Sequence, residues 1–207
     1  MIVLDCEQGS PEWIQARLGI PTASRFDQIL TPKTLKPSAS AHGYMCECMA
    51  EYMIGEPLDQ ATDGYMRRGT KMEDLARKWY ELQNDCDVRQ VGLCLRDDGR
   101  AACSPDGLVG DDGGVEIKVP GAKKHVGYML EPGDLVRDYW LQIQGGLWIT
   151  DRQWWDVLSY NPAMESVLQR VMPDAEVHAL FEEHVLGLAR QVRVNLVTLG
   201  YMQEQPT

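Results

Sequence analysis

Residues Ala102–Pro120 read ACSPDGLVGDDGGVEIKVP, and the order of residue types in this stretch decides the fold. Asp106 follows Pro105, a glycine-rich turn runs from Gly110 to Gly114, and a short apolar run then carries Glu116 and Lys118. On a strand, residues two apart share a face, so Glu116 and Lys118 point one way while Val115, Ile117 and Val119 point the other and supply core. Alone, such a pair is what any solvated polar face looks like. Asp106 changes the reading. It lies ten residues before Glu116, at the end of the preceding strand, and the turn between them is of the hairpin kind, which brings the two carboxylates together. Two hard carboxylate oxygens with room for water form a Mg²⁺ or Mn²⁺ site, to which the Ile117 backbone carbonyl could add a third oxygen. Lys118 then lies beside the water that such a metal activates, where it could orient that water, help it lose a proton or stabilise the charged transition state. Asp111 and Asp112 read as a polar turn, because their neighbours do not follow a calcium-loop pattern.

Outward from this stretch, 207 residues with 44% hydrophobic and 25% charged content point to one globular domain spanning residues 1–207. There is no run of about 18 apolar residues to span a membrane. The N-terminal MIVLDCEQGSPEW lacks the basic and long apolar regions of a signal peptide, which makes the cytoplasm the default compartment. The six cysteines are then expected as free thiols, and Cys46 and Cys48 have no second cysteine pair to complete a zinc or iron–sulfur set. A net charge of −11, taken alone, argues against nucleic acid. The charge is uneven, however: residues 61–130 hold eleven of the twenty basic residues, and the last 77 residues hold eleven acids against five bases. Acids that bind metal would not repel DNA once metallated.

The chain opens with helical patterns. SPEWIQARLG has Ser10 as N-cap, Pro11 at the first position and Gly19 past the end. TASRFDQIL reads as a second helix, capped by Thr22 or Ser24, and a third ends at Gly55. From Gly69 to about Gln83 the apolar residues Met72, Leu75, Ala76, Trp79 and Leu82 recur at helical spacing. VRQVGLCLR, RAACSP and GVEIKVP are short and divided by Asp/Gly turns, which predicts strands. A helix through Trp140, Ile143 and Leu147, two strands in QWWDVLSYNP and SVLQRVMP, and a long helix from about Asp174 to Leu199 complete the chain. The class is α/β, with a mixed central sheet flanked by helices. Gly145 and Gly146 inside a helix cost about 1 kcal/mol each relative to Ala, which predicts close backbone packing there.

The pattern of an Asp followed by Glu-x-Lys resembles the PD-(D/E)xK nuclease superfamily. A closer resemblance covers about residues 10–150. RAACSPDGL…GGVEIKVP, WIQARLGIPTAS, GTKMEDLAR and LQIQGGLWIT are similar, block by block and in the same order, to the lambda exonuclease family of phage recombination nucleases, also called YqaJ-like. The resemblance implies that Asp106 and Glu116 are metal ligands, with Glu73 the helix carboxylate near the metal and a further candidate ligand. It implies that Lys118 is the catalytic lysine, that Gln142 stands beside it, and that Arg17 and Ser24 hold the 5′-phosphate of the DNA end. Read as residues, Glu73 sits at the edge of an apolar stripe near a helix start, and Arg17 is a fork donor suited to phosphate. The family's loop after the second helix carries an Arg where this chain has Lys33. GYMRRG replaces a more apolar stretch before the Glu73 helix, leaving Met66 as the candidate wedge between the last base pairs.

The activity implied is metal-dependent 5′→3′ digestion of linear double-stranded DNA to mononucleotides, leaving a 3′ single strand, with Mg²⁺ as cofactor and Mn²⁺ able to substitute. The family further implies phage or prophage origin, the cytoplasm of a bacterial host, a ring-shaped homotrimer around DNA and a single-strand annealing protein as partner. The alternatives are another PD-(D/E)xK endonuclease, which the Arg17/Ser24 block and the lack of a cysteine cluster disfavour, and a non-catalytic DNA-end-binding protein, which the intact acidic and lysine set disfavours.

Overall fold

The computed structural model describes residues 1–58 and 63–203, and only the backbone of 63–71. The candidate wedge Met66 therefore lies outside the described side chains. A five-stranded mixed sheet forms the centre, in the order β2 (Val88–Arg89), β5 (Gly107–Val109), β6 (Gly113–Lys118), β7 (Trp154–Ser159) and β8 (Val167–Val171). Only β6 and β7 run parallel; the other neighbours are antiparallel. A second, three-stranded antiparallel sheet joins β1 (Ile2–Leu4), β3 (Leu93–Leu95) and β4 (Ala102–Cys103).

The stretch VRQVGLCLR is thus divided between two sheets. The break falls at Gly92, where a Cβ would stand 2.2 Å from the Cys6 carbonyl oxygen, so the chain passes too close to the N-terminal segment to continue as one strand. Likewise β4 stops at Cys103, and Asp106 lies in the bend before β5 rather than at the end of a strand.

The parallel β6–β7 pair requires a crossover, supplied by α4 (Ala122–Leu130) and α5 (Pro132–Thr150). The sequence pattern did not reveal α4, which buries only His125 and Tyr128 and is divided from α5 by Glu131 alone, with Pro132 opening α5. Two buried layers enclose the sheet. On one face α3 (Asp63–Asn84) packs Ala76 and Tyr80 against Val115, Ile117 and Leu158. On the other, Ile143 and Leu147 of α5 join Trp155 and Val157. One buried acid serves the α3 face: Asp156 accepts from the Tyr80 hydroxyl at 2.6 Å and from Arg170 through Nε at 2.8 Å and Nη2 at 2.9 Å.

The α1 helix (Pro11–Arg17) has Ser10 as its cap, donated to by the Trp13 N–H, and α2 (Ala41–Ile54) ends at Gly55 with φ +75°, both as the sequence predicts. The predicted second helix is a 3₁₀ segment, Ala23–Gln28; Thr22 occupies its cap position without a side-chain hydrogen bond, and Ser24 lies inside it. The C-terminal helix is α6 (Ala175–Leu180), a π turn over Phe181–Val185 and α7 (Leu186–Thr198). Gly145 and Gly146 meet different neighbours. A Cβ on Gly146 would reach the Trp155 ring at 3.0 Å, and one on Gly145 would stand 2.8 Å from the Ala23 Cβ and 2.9 Å from Phe26.

The 3₁₀ segment is therefore seated directly on the α5 backbone. Gly145→Val should lower stability by about 2–3 kcal/mol through overpacking, read as an earlier urea midpoint with unchanged slope.

Candidate active site

The β5–β6 hairpin assembles the acidic centre. Gly107 pairs with Val115, so one step further along the register Asp106 stands across from Glu116. The Ile117 N–H donates to Asp106 Oδ2 at 2.6 Å. Lys118 O is bonded to Tyr160 N on the β7 side; backbone groups of successive residues alternate between strand edges, so the Ile117 carbonyl faces the Asp106 edge. The turn is pinned by Arg152, whose Nη1 donates to the carbonyls of Val109 (3.3 Å), Gly110 (2.9 Å) and Gly113 (2.6 Å). Asp111 and Asp112 are exposed on that turn.

Glu116 is only 6% exposed. Its Oε1 accepts from Lys118 Nζ and from Gln142 Nε2, both at 2.6 Å, and Lys118 Nζ also donates to Gln142 Oε1 at 3.2 Å. Gln142, which the resemblance places beside Lys118, is thus the third member of a closed Glu–Lys–Gln triangle. Glu73 is half-buried on α3. Its charge is felt by Asp106, yet among the described residues no three His, Cys, Asp or Glu side chains converge into one metal cluster. Glu73 is a neighbour of the Asp106–Glu116 pair rather than a third carboxylate in contact with it.

Burial, and then the charge of Glu116, raise the Asp106 pKa well above the usual carboxylate range, against the pull of Lys118 and the Ile117 N–H. Burial likewise raises Glu73, opposed by Arg77 and Lys118. For Lys118 burial acts downward, but Glu116 and Asp106 outweigh it and the net shift is upward. Each raised carboxyl is one whose ionised form lacks compensating positive charge in this metal-free protein. A hard divalent cation fits that donor set.

Arg17 and Ser24 border the same cavity as Glu116 and Gln142, together with Trp13, Thr22 and Ser104. The Arg17 guanidinium lies 4.2 Å from the Trp13 ring centroid. It makes no hydrogen bond or ion pair among the described residues, and burial lowers its pKa. Ser24 is exposed at the rim. Lys33, in the loop after the 3₁₀ segment, is exposed.

Several supports escape a reading of spacing because their partners are far off in sequence. Trp13 Nε1 donates to Gly92 O at 3.0 Å and to Ser104 Oγ at 2.9 Å. Gln8 Nε2 donates to Val91 O at 3.1 Å and Pro105 O at 2.9 Å. Arg77 Nε reaches the Asp106 carbonyl at 3.3 Å. Together they fix Ser104–Pro105–Asp106 from both sides. All six cysteines are free; Cys94 and Cys103 face each other across β3 and β4.

The family described as the YqaJ-like viral recombinase domain matches residues 12–153, the span holding Arg17, Ser24, Glu73, Asp106, Glu116, Lys118 and Gln142. The chain belongs to that family. An alkaline exonuclease from Laribacter hongkongensis is 32% identical and superimposes with a TM-score of 0.80, over 92% of this chain and 96% of that one. The same enzyme in complex with dAMP is 31% identical, with the same TM-score and coverage. A phage-related exonuclease from Haemophilus somnus 129PT, at 13% identity and TM-score 0.68 over 87% of this chain and 96% of that one, shares the fold. None of the curated proteins compared matches this sequence. The fold is that of the PD-(D/E)xK nucleases.

A carboxylate whose pKa is raised on folding supports the folded state only at low pH, and that support is lost as pH rises through the raised value. Asp106 therefore destabilises the metal-free protein at pH 8. Asp106→Asn, which keeps an acceptor for the Ile117 N–H, should melt later than wild type at pH 8 in EDTA, with the gain shrinking toward pH 4. Equal melting at pH 8 would show that the carboxylate carries no such burden.

Proposed function

We propose that this protein is a metal-dependent 5′→3′ exonuclease that digests linear double-stranded DNA to mononucleotides and leaves a 3′ single strand, serving phage-type recombination by strand annealing. One observation carries the reading: a single cavity is lined both by Glu116 and Gln142, the partners of Lys118, and by Arg17, a half-buried cation that makes no ion pair among the described residues. A buried cation of that kind calls for an anion, and a phosphate at the chain end supplies one beside the hydrolytic groups. The relative that binds dAMP holds a mononucleotide, the product class this activity requires.

Asp106, Glu116 and the Ile117 carbonyl would hold Mg²⁺, or Mn²⁺ in its place, with Glu73 close by. Bound there, the ion supplies charge neutralisation at the phosphate and acidifies water. Lys118, hydrogen-bonded to Glu116 and Gln142, acts as a donor that orients the attacking water and stabilises transition-state charge. Gln142 holds Glu116 and Lys118 in register. Arg17 and Ser24 seat the terminal phosphate, which sets the distance from the end to the scissile bond. A homotrimeric ring with the basic middle segment toward DNA, a single-strand annealing partner and the host cytoplasm belong to the same proposal. Among the described residues no helix is long and apolar enough to cross a membrane.

The deciding experiment incubates linear and circular duplexes, labelled at the 5′ or 3′ end, with Mg²⁺ or EDTA. Mononucleotides should leave the 5′ end of linear duplex in Mg²⁺ only. Cutting of circles would mean an endonuclease, and binding without cutting an end-binding protein. Asp106→Ala should abolish cleavage while duplex binding persists or tightens, since a negative charge near phosphate is lost. Lys118→Ala should slow cleavage by at least ~10²-fold, the scale of a positioned acid–base or donor group.

Wild type should also prefer a 5′-phosphorylated over a 5′-hydroxyl duplex. A charge-assisted contact is worth about 1.5–3 kcal/mol, so Arg17→Ala should cut that preference by about 10- to 100-fold, mainly by slowing the phosphorylated substrate. Equal slowing of both substrates would make Arg17 a general backbone contact.

A further inference from the structure

Beside the Glu–Lys–Gln triangle stands an aromatic ring that neither the sequence motifs nor the family blocks single out. Lys118 Nζ lies 4.5 Å from the ring centroid of Tyr139. An ammonium has three donors and no acceptor; Lys118 directs hydrogen bonds to Glu116 and Gln142, and the ring face closes another side. Tyr139 precedes Gln142 by three residues on α5, a spacing that sets both side chains on one helical face. The ring is half-buried and packs against the main core. Its edge is held as well: Lys124 Nζ of α4 is 3.5 Å from the Tyr139 hydroxyl and 5.2 Å from the ring centroid, and is itself anchored to Asp138 at 3.2 Å.

Given the role of Lys118 proposed above, we propose that Tyr139 is a positioning residue whose ring face holds the Lys118 ammonium at the phosphodiester by a cation–π contact. Lysine carries a long flexible stem and large rotamer freedom, and a carboxylate with an amide oxygen constrains it from one side only. The negative face of the ring attracts the cation and keeps water from that flank, so the Nζ stays where the reacting oxygens arrive. The hydroxyl is not needed for this; the quadrupole of the ring is.

The test measures single-turnover kcat and KM on 5′-phosphorylated linear duplex. Tyr139→Phe should keep kcat within about twofold, and Tyr139→Leu should lower it about 3- to 30-fold with KM unchanged, the range spanned by exposed to desolvated cation–π contacts. Because a leucine could also loosen packing, position 139 is further replaced by phenylalanine carrying one, two and three ring fluorines, which keep the shape and progressively weaken the ring face. Log kcat should fall stepwise along that series. In a Lys118→Ala background the same series should be flat, because no ammonium is left to hold. A flat series with Lys118 present, an equal slope without it, or a rise in KM in place of the fall in kcat would each overturn the assignment. A wild-type rate in Lys118→Ala alone would overturn the role of Lys118 itself, and the role of Tyr139 with it.

Discussion

The hydrogen bond from the Ile117 N–H to the Asp106 carboxylate, 2.6 Å long, is the constraint on which the site depends. It exists only if β5 and β6 pair in the observed register, with Gly107 against Val115. A slip of one residue would turn Glu116 and Lys118 to the α3 face and send Val115 and Ile117 to the cavity. The register is guarded from both ends. Arg152 gathers three carbonyls at the turn, while Gln8, Trp13 and Arg77 hold the segment entering β5. The two glycines of β6 add a steric guard, since a Cβ on Gly113 or Gly114 would stand 2.1 or 2.4 Å from the rings of Trp154 or Trp155. The turn's small residues therefore serve packing against β7 as well as chain reversal.

α5 is the second organising element, because each stretch of its surface meets a different partner. Tyr139 and Gln142 face Lys118. Gly145 receives the 3₁₀ segment and Gly146 receives Trp155. Trp148 joins Phe26 and Phe181 in an aromatic cluster, with centroids 6.0 and 5.5 Å away. Gln144, fully buried, donates to Met172 O and accepts from Asp174 N, so it ties the last strand to the C-terminal helix without an unpaired polar group. The missing side chains at 145 and 146 let the helix lie close enough for the segment bearing Ser24 and the strand bearing Glu116 to border one cavity.

Charge is divided around that cavity, which Glu116 and Arg17 both line. At one side, burial and mutual repulsion raise Asp106 and Glu73, with Lys118 as the opposing cation. At the other, Arg17 is half-buried against Trp13 without a carboxylate partner among the described residues. Both sides are costly in a protein left to itself, since buried charge is normally paired. Under the proposed function, this division of charge suits a cation and an anion held next to each other, the arrangement that phosphodiester hydrolysis needs. The overall charge of −11 says little about this, because the fold sorts charges locally and composition averages them.

Some of this was legible in the residues. Period-two alternation in Val115–Val119 set the face of Glu116 and Lys118, the Gly-rich turn pointed to the hairpin that carries Asp106, and Ser10, Pro11 and Gly55 marked helix ends that the structure shows. These are local patterns, read from a few neighbouring residues. The helix α4 was not legible because it buries only two residues, and the division of Val88–Leu95 between two sheets and the packing of Ala23–Gln28 on α5 were not, because each depends on a partner distant in sequence. The same holds within the site. That Asp106, Glu116 and Lys118 come together on one hairpin is a matter of residue type and spacing, which the sequence by itself determined. That Tyr139 lies over the lysine, that Arg17 lacks an ion-pair partner among the described residues, and that Arg17, Glu116 and Gln142 border one cavity was decided only by tertiary structure, because contacts between α1, α5 and β6 depend on how helices seat on a sheet and not on the order of residues along the chain.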